Sequence, residues 1–401
     1  MNRTARSALI VALSTVTSIV MVGCGSSSST KSGGGTGPIS VLAILPMSGS
    51  LATTGANNQE ALKAAIATVN AAGGVKGRML TLDVQDDKGD GAQAATLLRA
   101  AVSSGKKPDI LVDGGTTNES LAMAPVVQQE HIFTVASSSG ILFTDANVSH
   151  NPTKFTTSPS LPALAGEMAK YLKSKSYNKI AMLSATDGYG SAWKTEYTQA
   201  IKAAGITIAA SETFDTTALD MTSQMQTLQA SHPDAIVVEA FGAPIGYILK
   251  DRDKLGMIST PMVGGNTFST TDLTKLATAA QLQNLTFQAS TISQYVDPSA
   301  LTGARKTFYQ ALLANGGVNQ AISSYGYSYD PIILAAAALN KSGTGDGLKA
   351  AQALEALGSV SDTVMQNKYF DKQNHVPLPN PSAYTFLTAG PLVNGMIKSS
   401  S

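Results

Sequence analysis

The chain has 401 residues, with 28 lysines and arginines against 27 aspartates and glutamates, so that its formal net charge is +1. This near-neutral balance provides no broad basic surface for nucleic acid and no polybasic patch for a membrane. Because the length exceeds what one compact core usually holds, it predicts two domains.

The amino-terminal segment has the features of an export signal. Two arginines precede an uncharged and mostly apolar run from Ser7 to Val22. The run is shorter than the roughly 20 apolar residues of a membrane-spanning helix, and a polar tract follows it, which favours a signal peptide over residues 1–23. Residues 21–24, MVGC, resemble the lipobox of bacterial lipoproteins, which implies cleavage before Cys24 and attachment of lipid to its sulfur. An ordinary secretory signal with an incidental cysteine is the alternative.

A low-complexity segment, residues 24–38, follows the signal and contains the tract GSSSSTKSGGGTGP. Its serines and glycines cannot bury a hydrophobic core, so we predict a flexible linker between the lipid and the folded part of the chain. Cys24 is the single cysteine of the sequence, which excludes an internal disulfide and a zinc site built from several cysteines.

From Ser40 onward, short apolar runs alternate with longer amphipathic segments, which is typical of an α/β protein. In the first series we predict strands at 40–45, LTLDVQD, 109–113 and 132–136, with helices at NQEALKAAIATVNAA, at 91–103 and from residue 120. In the second series we predict strands KIAMLS, ITIAASE and AIVVEA, with helices at 161–174, 191–204, 218–230 and 244–255. Two such series predict two Rossmann-like lobes, each with a parallel sheet covered by helices on both faces.

Local motifs for catalysis and metal binding are absent from the sequence. The four histidines are scattered, and we find no H-E-x-x-H pair, no G-x-S-x-G nucleophile elbow, no phosphate-binding loop and no G-x-G-x-x-G fingerprint. The stretch DDKGDG at 86–91 departs from a calcium loop, because Lys88 occupies a ligand position and Leu97 stands where the bidentate glutamate is required. We therefore predict a protein that is not an enzyme and that has no metal or cofactor. A secreted hydrolase whose catalytic residues assemble from distant positions is the alternative.

The turns after the predicted strands are rich in hydroxyl groups, glycine and single aromatic residues. They read PMSGSLATTG, GGTTNES and SSSG in the first series, and ATDGYG and FGAP in the second. Ligands of open parallel sheets bind beyond the carboxyl ends of the strands, where these turns lie. The turns therefore predict binding of a small polar ligand through hydroxyls and backbone N–H groups.

The stretch from Ile39 to Asp87 resembles the start of the branched-chain amino acid binding proteins, the LivJ-like family of type I periplasmic solute-binding proteins of ABC transporters. The likeness rests on P-M-S-G, on N-A-x-G-G-x-x-G and on D-D after the second strand, and it continues through ATDGYG, KLGMISTPMVGG and YGYSYDPIILAAAALNKSG. The resemblance implies two lobes joined by a hinge of three crossings, which close on a ligand. It places lobe 1 at 39–157 and 290–366, and lobe 2 at 158–289 and 367–398.

The same resemblance implies a ligand site between the lobes. In lobe 1, hydroxyls and backbone N–H groups after the third and fourth strands would hold a carboxylate through charge-assisted hydrogen bonds. In lobe 2, aromatic side chains would cover the apolar part of the ligand. The candidate residues are Thr54, Thr116, Thr117, Ser138 and Ser139 in lobe 1, Asp187, Tyr189, Glu239, Phe241 and Asn266 in lobe 2, and Tyr325. The alternatives are ordinary turn and cap chemistry for the hydroxyls and lobe packing for the aromatic residues.

Two departures from the family pattern concern the ligand. Thr54 replaces an early tyrosine of the family, and the glutamate that pairs with the ligand's ammonium group aligns with Gly265 or Asn266. A cation buried in a closed cleft needs a paired charge, because its desolvation costs several kcal/mol. An amino acid ligand would therefore need Glu239 or Asp187 as its partner, whereas an amide, a short carboxylate or an aromatic acid would not. A solvated Glu239 at the end of its strand is the alternative.

These observations predict a lipid-anchored extracytoplasmic solute-binding protein that delivers a small polar ligand to the permease and ATPase subunits of an ABC importer. Nucleic acid is not an expected partner. A tethered sensory receptor of the same fold, which signals to a membrane partner, is the alternative function. The two functions differ in the partner and share the fold and the ligand site.

Overall fold

The computed structural model describes residues 37–113, 115–138, 151–365, 370–377 and 383–399. The predicted signal peptide, the lipidation site at Cys24, the linker up to residue 36 and the candidate Ser139 lie outside these residues. Within the described part of the chain, no helix has the length and apolar character needed to cross a membrane.

The first of two main sheets comes from the amino-terminal part of the chain, and all of its described strand pairs are parallel. Its strands are β1 (Ile39–Leu45), β2 (Leu80–Asp86), β3 (Ile110–Asp113), β4 (Thr134–Ala136) and β5 (Lys154–Thr156), in the order β2-β1-β3-β4-β5. The helices that follow the first three strands are α1 (Ala52–Ala71), α2 (Gly91–Ser103) and α3 (Thr117–Glu130). The carboxyl ends of the strands therefore share one edge of the sheet.

The second sheet has the order β11-β10-β9-β8-β6-β7 in the described residues. Its strands are β6 (Lys179–Ala185), β7 (Thr207–Phe214), β8 (Ala235–Glu239), β9 (Met262–Gly264), β10 (Leu285–Ser290) and β11 (Tyr384–Thr388). Its helices are α4 (Leu161–Ser174), α5 (Gly188–Ala203), α6 (Thr222–Ala230) and α7 (Ala243–Lys254). The strand pairs are parallel except for β10 with β11. A small hairpin, β12 (Leu392–Val393) and β13 (Met396–Ile397), follows near the end of the chain.

Three further helices come after β10 in the sequence and yet pack on the first sheet. They are α8 (Gly303–Ala314), α9 (Ile322–Ser342) and α10 (Gly347–Leu357). The core of the first lobe joins Val41 of β1 to Phe308 of α8 and Leu354 of α10. The predicted α/β architecture, with two lobes of mainly parallel sheets, is confirmed. The exact lobe boundaries stay a prediction.

Contacts of the segment 370–377 bear on the third crossing between the lobes. Phe155 of β5 makes an edge contact with Phe370, with ring centroids 5.5 Å apart, and stacks on His375 at 3.8 Å. The Nδ1 atom of His375 lies 2.9 Å from the carbonyl oxygen of Lys154. These contacts join Phe370 and His375 to β5 of the first lobe, and the position of the third crossing stays a prediction.

Helix caps explain why two helices begin earlier than their apolar pattern predicts. α5 begins at Gly188 instead of 191, because the Asp187 carboxylate accepts a 2.7 Å hydrogen bond from the Gly190 N–H. α3 begins at Thr117 instead of near 120, because Thr116 and Glu119 form a capping box. In contrast, α6 begins only at Thr222, later than the predicted 218. The two early starts place helix amino termini directly at the ends of β3 and β6.

Candidate functional site

Polar residues of the second lobe converge where three neighbouring strands end. The sheet order places β8 between β6 and β9. Asp187 follows β6, Glu239 is the last residue of β8, and Asn266 follows β9. Because parallel strands end at one edge, these side chains belong to the edge at which ligands of such sheets bind.

Glu239 is the central group of this edge. It is 2% exposed, and its Oε1 atom accepts a 2.7 Å hydrogen bond from the Thr267 hydroxyl. Its Oε2 atom is buried and has no hydrogen-bond partner among the described residues. Burial raises the pKa of the Glu239 carboxyl well above its usual value, the Thr267 hydrogen bond opposes the rise, and the charge of Asp187 adds to it. A buried carboxyl of this kind lacks the partner that its ionised form requires.

Gly265 provides the space for this carboxyl. A Cβ atom at residue 265 would lie 2.1 Å from Glu239 Oε2 and 3.3 Å from Trp193 Nε1. A side chain at this position would therefore displace the glutamate. Gly265 is also one of the two positions at which the family resemblance places the ammonium-binding glutamate. The Glu239 carboxyl thus occupies the space in which a side chain of residue 265 would begin.

Trp193 lies beside Glu239 and was missed in the sequence analysis. It is fully buried, its ring stacks on Tyr197 with centroids 4.1 Å apart, and its Nε1 donor, which faces Tyr197, makes no well-directed hydrogen bond to a described residue. The Tyr197 hydroxyl donates to Gln288 Oε1 at 2.8 Å. Trp193 follows Tyr189 by four residues on the same helix face, and this spacing was the available sequence signal.

Tyr189 and Asn266, which were both predicted, contact each other. The Tyr189 hydroxyl donates to Asn266 Oδ1 at 2.9 Å. Tyr327 of α9 also faces Asn266, although its buried hydroxyl makes no well-directed hydrogen bond to a described residue. Burial raises the pKa of Tyr327 to about 12 and the pKa of Tyr189 well above its usual value. Both tyrosines are therefore neutral at physiological pH.

The first lobe meets the second at the amino termini of α3 and α5. A Cβ atom at Gly188 would lie 2.8 Å from Asn118 Oδ1 and 3.2 Å from Thr117 Cγ2. The two lobes therefore contact each other at Gly188. The caps, Asp187 in α5 and the Thr116–Glu119 capping box in α3, each accept from one backbone N–H of their helix. The remaining N–H groups of the first turns and the positive ends of the two helix dipoles favour a carboxylate near this junction.

Ser138 borders the same edge of the first sheet. It follows β4, is 6% exposed, and its Oγ atom has no hydrogen-bond partner among the described residues. Its carbonyl oxygen accepts a 2.6 Å hydrogen bond from the Thr156 hydroxyl. We use the word cleft for the facing carboxyl edges of the two sheets, which are marked by Thr117 and Ser138 in the first lobe and by Gly188, Glu239 and Asn266 in the second.

Three other predicted residues have different surroundings. Thr54 is half-buried near the start of α1, and Phe241, after β8, is 40% exposed. Tyr325 is fully buried in the first-lobe core, where its hydroxyl accepts a 3.2 Å hydrogen bond from the Asn319 N–H. Two residues along a helix change direction by about 200°. This rotation explains why Tyr327, and not Tyr325, faces Asn266.

A buried ion pair lies below the start of α3. The Lys154 Nζ atom is 2.8 Å from Asp113 Oδ2, and this oxygen also accepts a 2.8 Å hydrogen bond from the Ser120 hydroxyl. Nearby, burial and the charge of Asp87 raise the pKa of the Glu119 carboxyl to about 7. No group of three or more His, Cys, Asp and Glu side chains in the described residues is arranged to hold a metal ion.

A surface concavity of about 610 Å³ lies elsewhere in the second lobe. Its lining includes Pro233, just before β8, and Thr260, just before β9. It therefore lies at the amino ends of these strands, opposite the edge where ligands of parallel sheets bind.

Comparisons with known proteins give one family. A sequence model of the family described as "Periplasmic binding protein" matches residues 38–386. The Leu/Ile/Val-binding protein homolog 8 of Brucella abortus (strain 2308) is 24% identical over 326 residues, which cover 79% of this chain and 79% of the relative.

Two solved structures share the fold. The branched-chain amino acid transporter substrate binding protein LivJ from Streptococcus pneumoniae, in complex with isoleucine, has a TM-score of 0.71 and 20% identity, covering 90% of this chain and 98% of that chain. An ABC transporter solute binding protein from R. palustris, in complex with 4-hydroxybenzoate, has a TM-score of 0.72 and 19% identity, covering 90% of this chain and 95% of that chain.

Proposed function

The chain belongs to the periplasmic binding protein family, and we propose that it is the solute-binding subunit of an ABC importer and that it captures an amino acid. The family and the relatives are binding proteins, so the prediction that the chain is not an enzyme is confirmed. Family membership also implies an extracytoplasmic location. The lipid anchor, the permease and ATPase partners and the ligand class are parts of the proposal.

The observation that carries the ligand class is the environment of Glu239. One oxygen of this buried carboxyl lacks a partner beside Trp193. Among the described residues, the charge that acts on the Glu239 carboxyl is that of Asp187, which is also negative when ionised. The α-ammonium group of an amino acid would supply the missing positive charge. Because Glu239 fills the space beside Gly265, it is suited to the role that the resemblance gives to the family glutamate.

The other end of an amino acid is a carboxylate, and suitable groups lie across the cleft. The Ser138 hydroxyl is buried without a partner in the described residues. The amino termini of α3 and α5 meet at Gly188 and contribute N–H groups and positive dipole ends. A ligand with opposite charges at its two ends would contact both lobes, so that it would stabilise the closed arrangement more than the open one.

The names of the relatives support an amino acid without settling the ligand. The Brucella protein is named for leucine, isoleucine and valine, and the Streptococcus protein was solved with isoleucine. The R. palustris protein of the same fold was solved with 4-hydroxybenzoate, which has no ammonium group. The fold therefore accommodates both kinds of ligand, and the proposal depends on Glu239.

Thermal unfolding of residues 25–401 tests the ligand class. The panel is L-isoleucine, L-leucine, isobutyramide, butyrate and 4-hydroxybenzoate. A ligand at about a thousand times its Kd adds about 4 kcal/mol to the free energy of unfolding. We expect amino acids to raise the Tm, and we expect mass spectrometry to recover them unchanged.

Shifts confined to compounds without an amine contradict the amino acid proposal, and the absence of any shift contradicts capture of these solutes. The control variant is Glu167→Gln. Glu167 forms an exposed ion pair with Lys170 at 2.8 Å, away from the cleft. This variant should retain every shift of the wild-type protein.

The anchor and the transport partner need separate tests. Cys24→Ser should release the protein from the membrane fraction, and persistence in that fraction contradicts lipid anchoring. Genes for a permease and an ATPase beside this gene would favour an importer over the sensory receptor. A neighbouring gene for a membrane signalling protein would favour the receptor.

A further inference from the structure

We propose that Glu239 exchanges a proton for the ligand's ammonium group: its carboxyl is protonated in the free protein, and each capture of an amino acid releases one proton to solvent. The step is an acid–base exchange, in which a neutral carboxyl and an ammonium ligand become a carboxylate–ammonium pair and a free proton. Charge and atoms balance without a further reactant. The inference rests on the proposed function, because it requires a ligand in the cleft.

The surroundings of Glu239 define the charges that act on it. Oε1 accepts from Thr267, and Oε2 lies against the backbone of Gly265 near Trp193 Nε1, without a hydrogen-bond partner among the described residues. The titratable groups that face this region come from three elements. Asp187 caps α5, Tyr189 and Tyr197 lie within α5, Tyr327 lies on α9 and Tyr384 lies on β11. None of these groups is a cation.

Tyr189, Tyr197 and Tyr327 do not carry charge at physiological pH. Burial raises the pKa values of Tyr189 and Tyr197 well above the usual value, and it raises that of Tyr327 to about 12. Asp187 is therefore the remaining charged neighbour, and as a carboxylate it opposes ionisation of Glu239. A carboxyl in such a place takes up a proton, because an isolated buried charge is far more costly than a pKa shift.

An ammonium group beside Glu239 reverses this balance. A positive charge within a few ångströms favours the carboxylate and lowers its pKa, so the proton leaves as the ligand binds. At pH values below the pKa of free Glu239, affinity for an ammonium ligand therefore increases about tenfold for each unit by which the pH is raised. Above that pKa the affinity levels off. A ligand without an amine gains no such pH dependence from Glu239.

Calorimetric titration with L-isoleucine measures the proton directly. Titrations at one pH in buffers of different ionisation enthalpy give the number of protons released for each ligand bound. We expect about one proton for the wild-type protein below the pKa of free Glu239, and none for Glu239→Gln. The Glu167→Gln control should release the same number as wild type.

Two titration results overturn the inference. The first is wild-type binding without proton release at every pH from about 5 to about 9, a range that spans the usual shifts of a buried carboxyl. The second is equal proton release by wild type and Glu239→Gln. If L-isoleucine and L-leucine both fail to bind, the proposed ligand class fails first and the exchange fails with it.

Infrared spectroscopy of the ligand-free protein provides a test that needs no ligand. A protonated carboxyl has a carbonyl stretch distinct from that of a carboxylate, and the difference spectrum of wild type minus Glu239→Gln isolates the signal of residue 239. We expect the protonated band at neutral pH. Its absence overturns the inference even when amino acids bind, so that the two failures are distinguishable. Near-ultraviolet circular dichroism should show the same fold for both proteins.

Discussion

Asp113 and Glu239 occupy equivalent places in the two lobes, and they differ in what surrounds them. Each is the last residue of a parallel strand whose residues are all buried, and each is itself 2% exposed or less. Asp113 has Lys154 at 2.8 Å and the Ser120 hydroxyl at 2.8 Å. Glu239 has the Thr267 hydroxyl at 2.7 Å and no cation among the described residues.

The difference distinguishes a charge that the protein itself pairs from a carboxyl that has no cation beside it among the described residues. The protein itself neutralises Asp113, so the ion pair holds β3, β5 and α3 together whether or not a ligand is present. Glu239 has no such partner, and this absence among the described residues is the basis of the proposed exchange between a proton and a ligand cation. Substitution should therefore affect different properties at the two positions. Replacing Asp113 should lower the stability of the protein, and replacing Glu239 should change ligand binding and its pH dependence.

The largest effect is expected for Asp113→Asn. The substitution breaks the buried ion pair with Lys154, and breaking such a pair costs about 3–5 kcal/mol of unfolding free energy. Urea denaturation measures the loss. Glu167→Gln breaks the exposed pair with Lys170 and should change stability by less than about 1 kcal/mol. Equal effects of the two substitutions would mean that the buried pair has no special structural role.

Glu119→Gln tests how a second buried acid of the first lobe changes the stability of the protein with pH. The pKa of the Glu119 carboxyl rises from 4.5 to about 7 on burial, so the folded state holds its proton more tightly than the unfolded state. Wild-type stability should therefore fall as pH increases from about 4.5 to about 7, by at most about 3 kcal/mol.

The variant keeps an acceptor for the Thr116 N–H and loses this titration. Urea denaturation at about pH 5 and at about pH 8 measures the stability of both proteins. The variant should gain stability relative to the wild type at the higher pH, because only the wild-type protein has a carboxyl at residue 119 that titrates between these values. A difference that does not change with pH contradicts the raised pKa of Glu119.

Gly188→Ala tests the contact between the lobes. The new methyl group would lie 2.8 Å from Asn118 Oδ1, so it should hinder closure without disturbing either sheet. We expect about tenfold weaker binding of L-isoleucine by calorimetry, which corresponds to about 1.4 kcal/mol. The combination with Asn118→Ala should restore part of the affinity.

The matched control for this test is Gly166→Ala. A Cβ atom at Gly166, in α4, would meet no atom within 4 Å. Alanine there should raise stability by about 0.5–1 kcal/mol through its better helix propensity, and it should leave affinity unchanged. Equal affinity of Gly188→Ala and wild type would show that the Gly188 contact is not part of the ligand-bound state.

Of the substitutions expected to weaken binding, Tyr189→Phe should have the smallest effect. The substitution removes the hydroxyl that donates to Asn266 Oδ1 at 2.9 Å. Loss of one neutral hydrogen bond corresponds to about 1 kcal/mol, or about fivefold weaker binding of L-isoleucine. Unchanged affinity would place this hydrogen bond outside the ligand site.

Much of the fold could be predicted from the sequence because its signals are local. The alternation of apolar strands with amphipathic helices predicted the α/β lobes, and the polar turns after the strands predicted the edge at which Thr117, Asp187 and Glu239 lie. The helix starts at Gly188 and Thr117 were missed by three residues. Their caps depend on short-range side-chain contacts that the apolar periodicity does not report.

The sequence alone thus determined that Asp113 and Glu239 end strands, since each follows an apolar run, and it left the burial of Glu239 open. Only the tertiary structure decided which acid is neutralised. Lys154 reaches Asp113 from a strand 41 residues later in the chain, whereas Glu239 meets the side-chain-free Gly265, with the neutral Trp193 Nε1 nearby. Pairing depends on which strands become neighbours in a sheet, and that order is set by packing of the whole lobe rather than by the residues beside each acid.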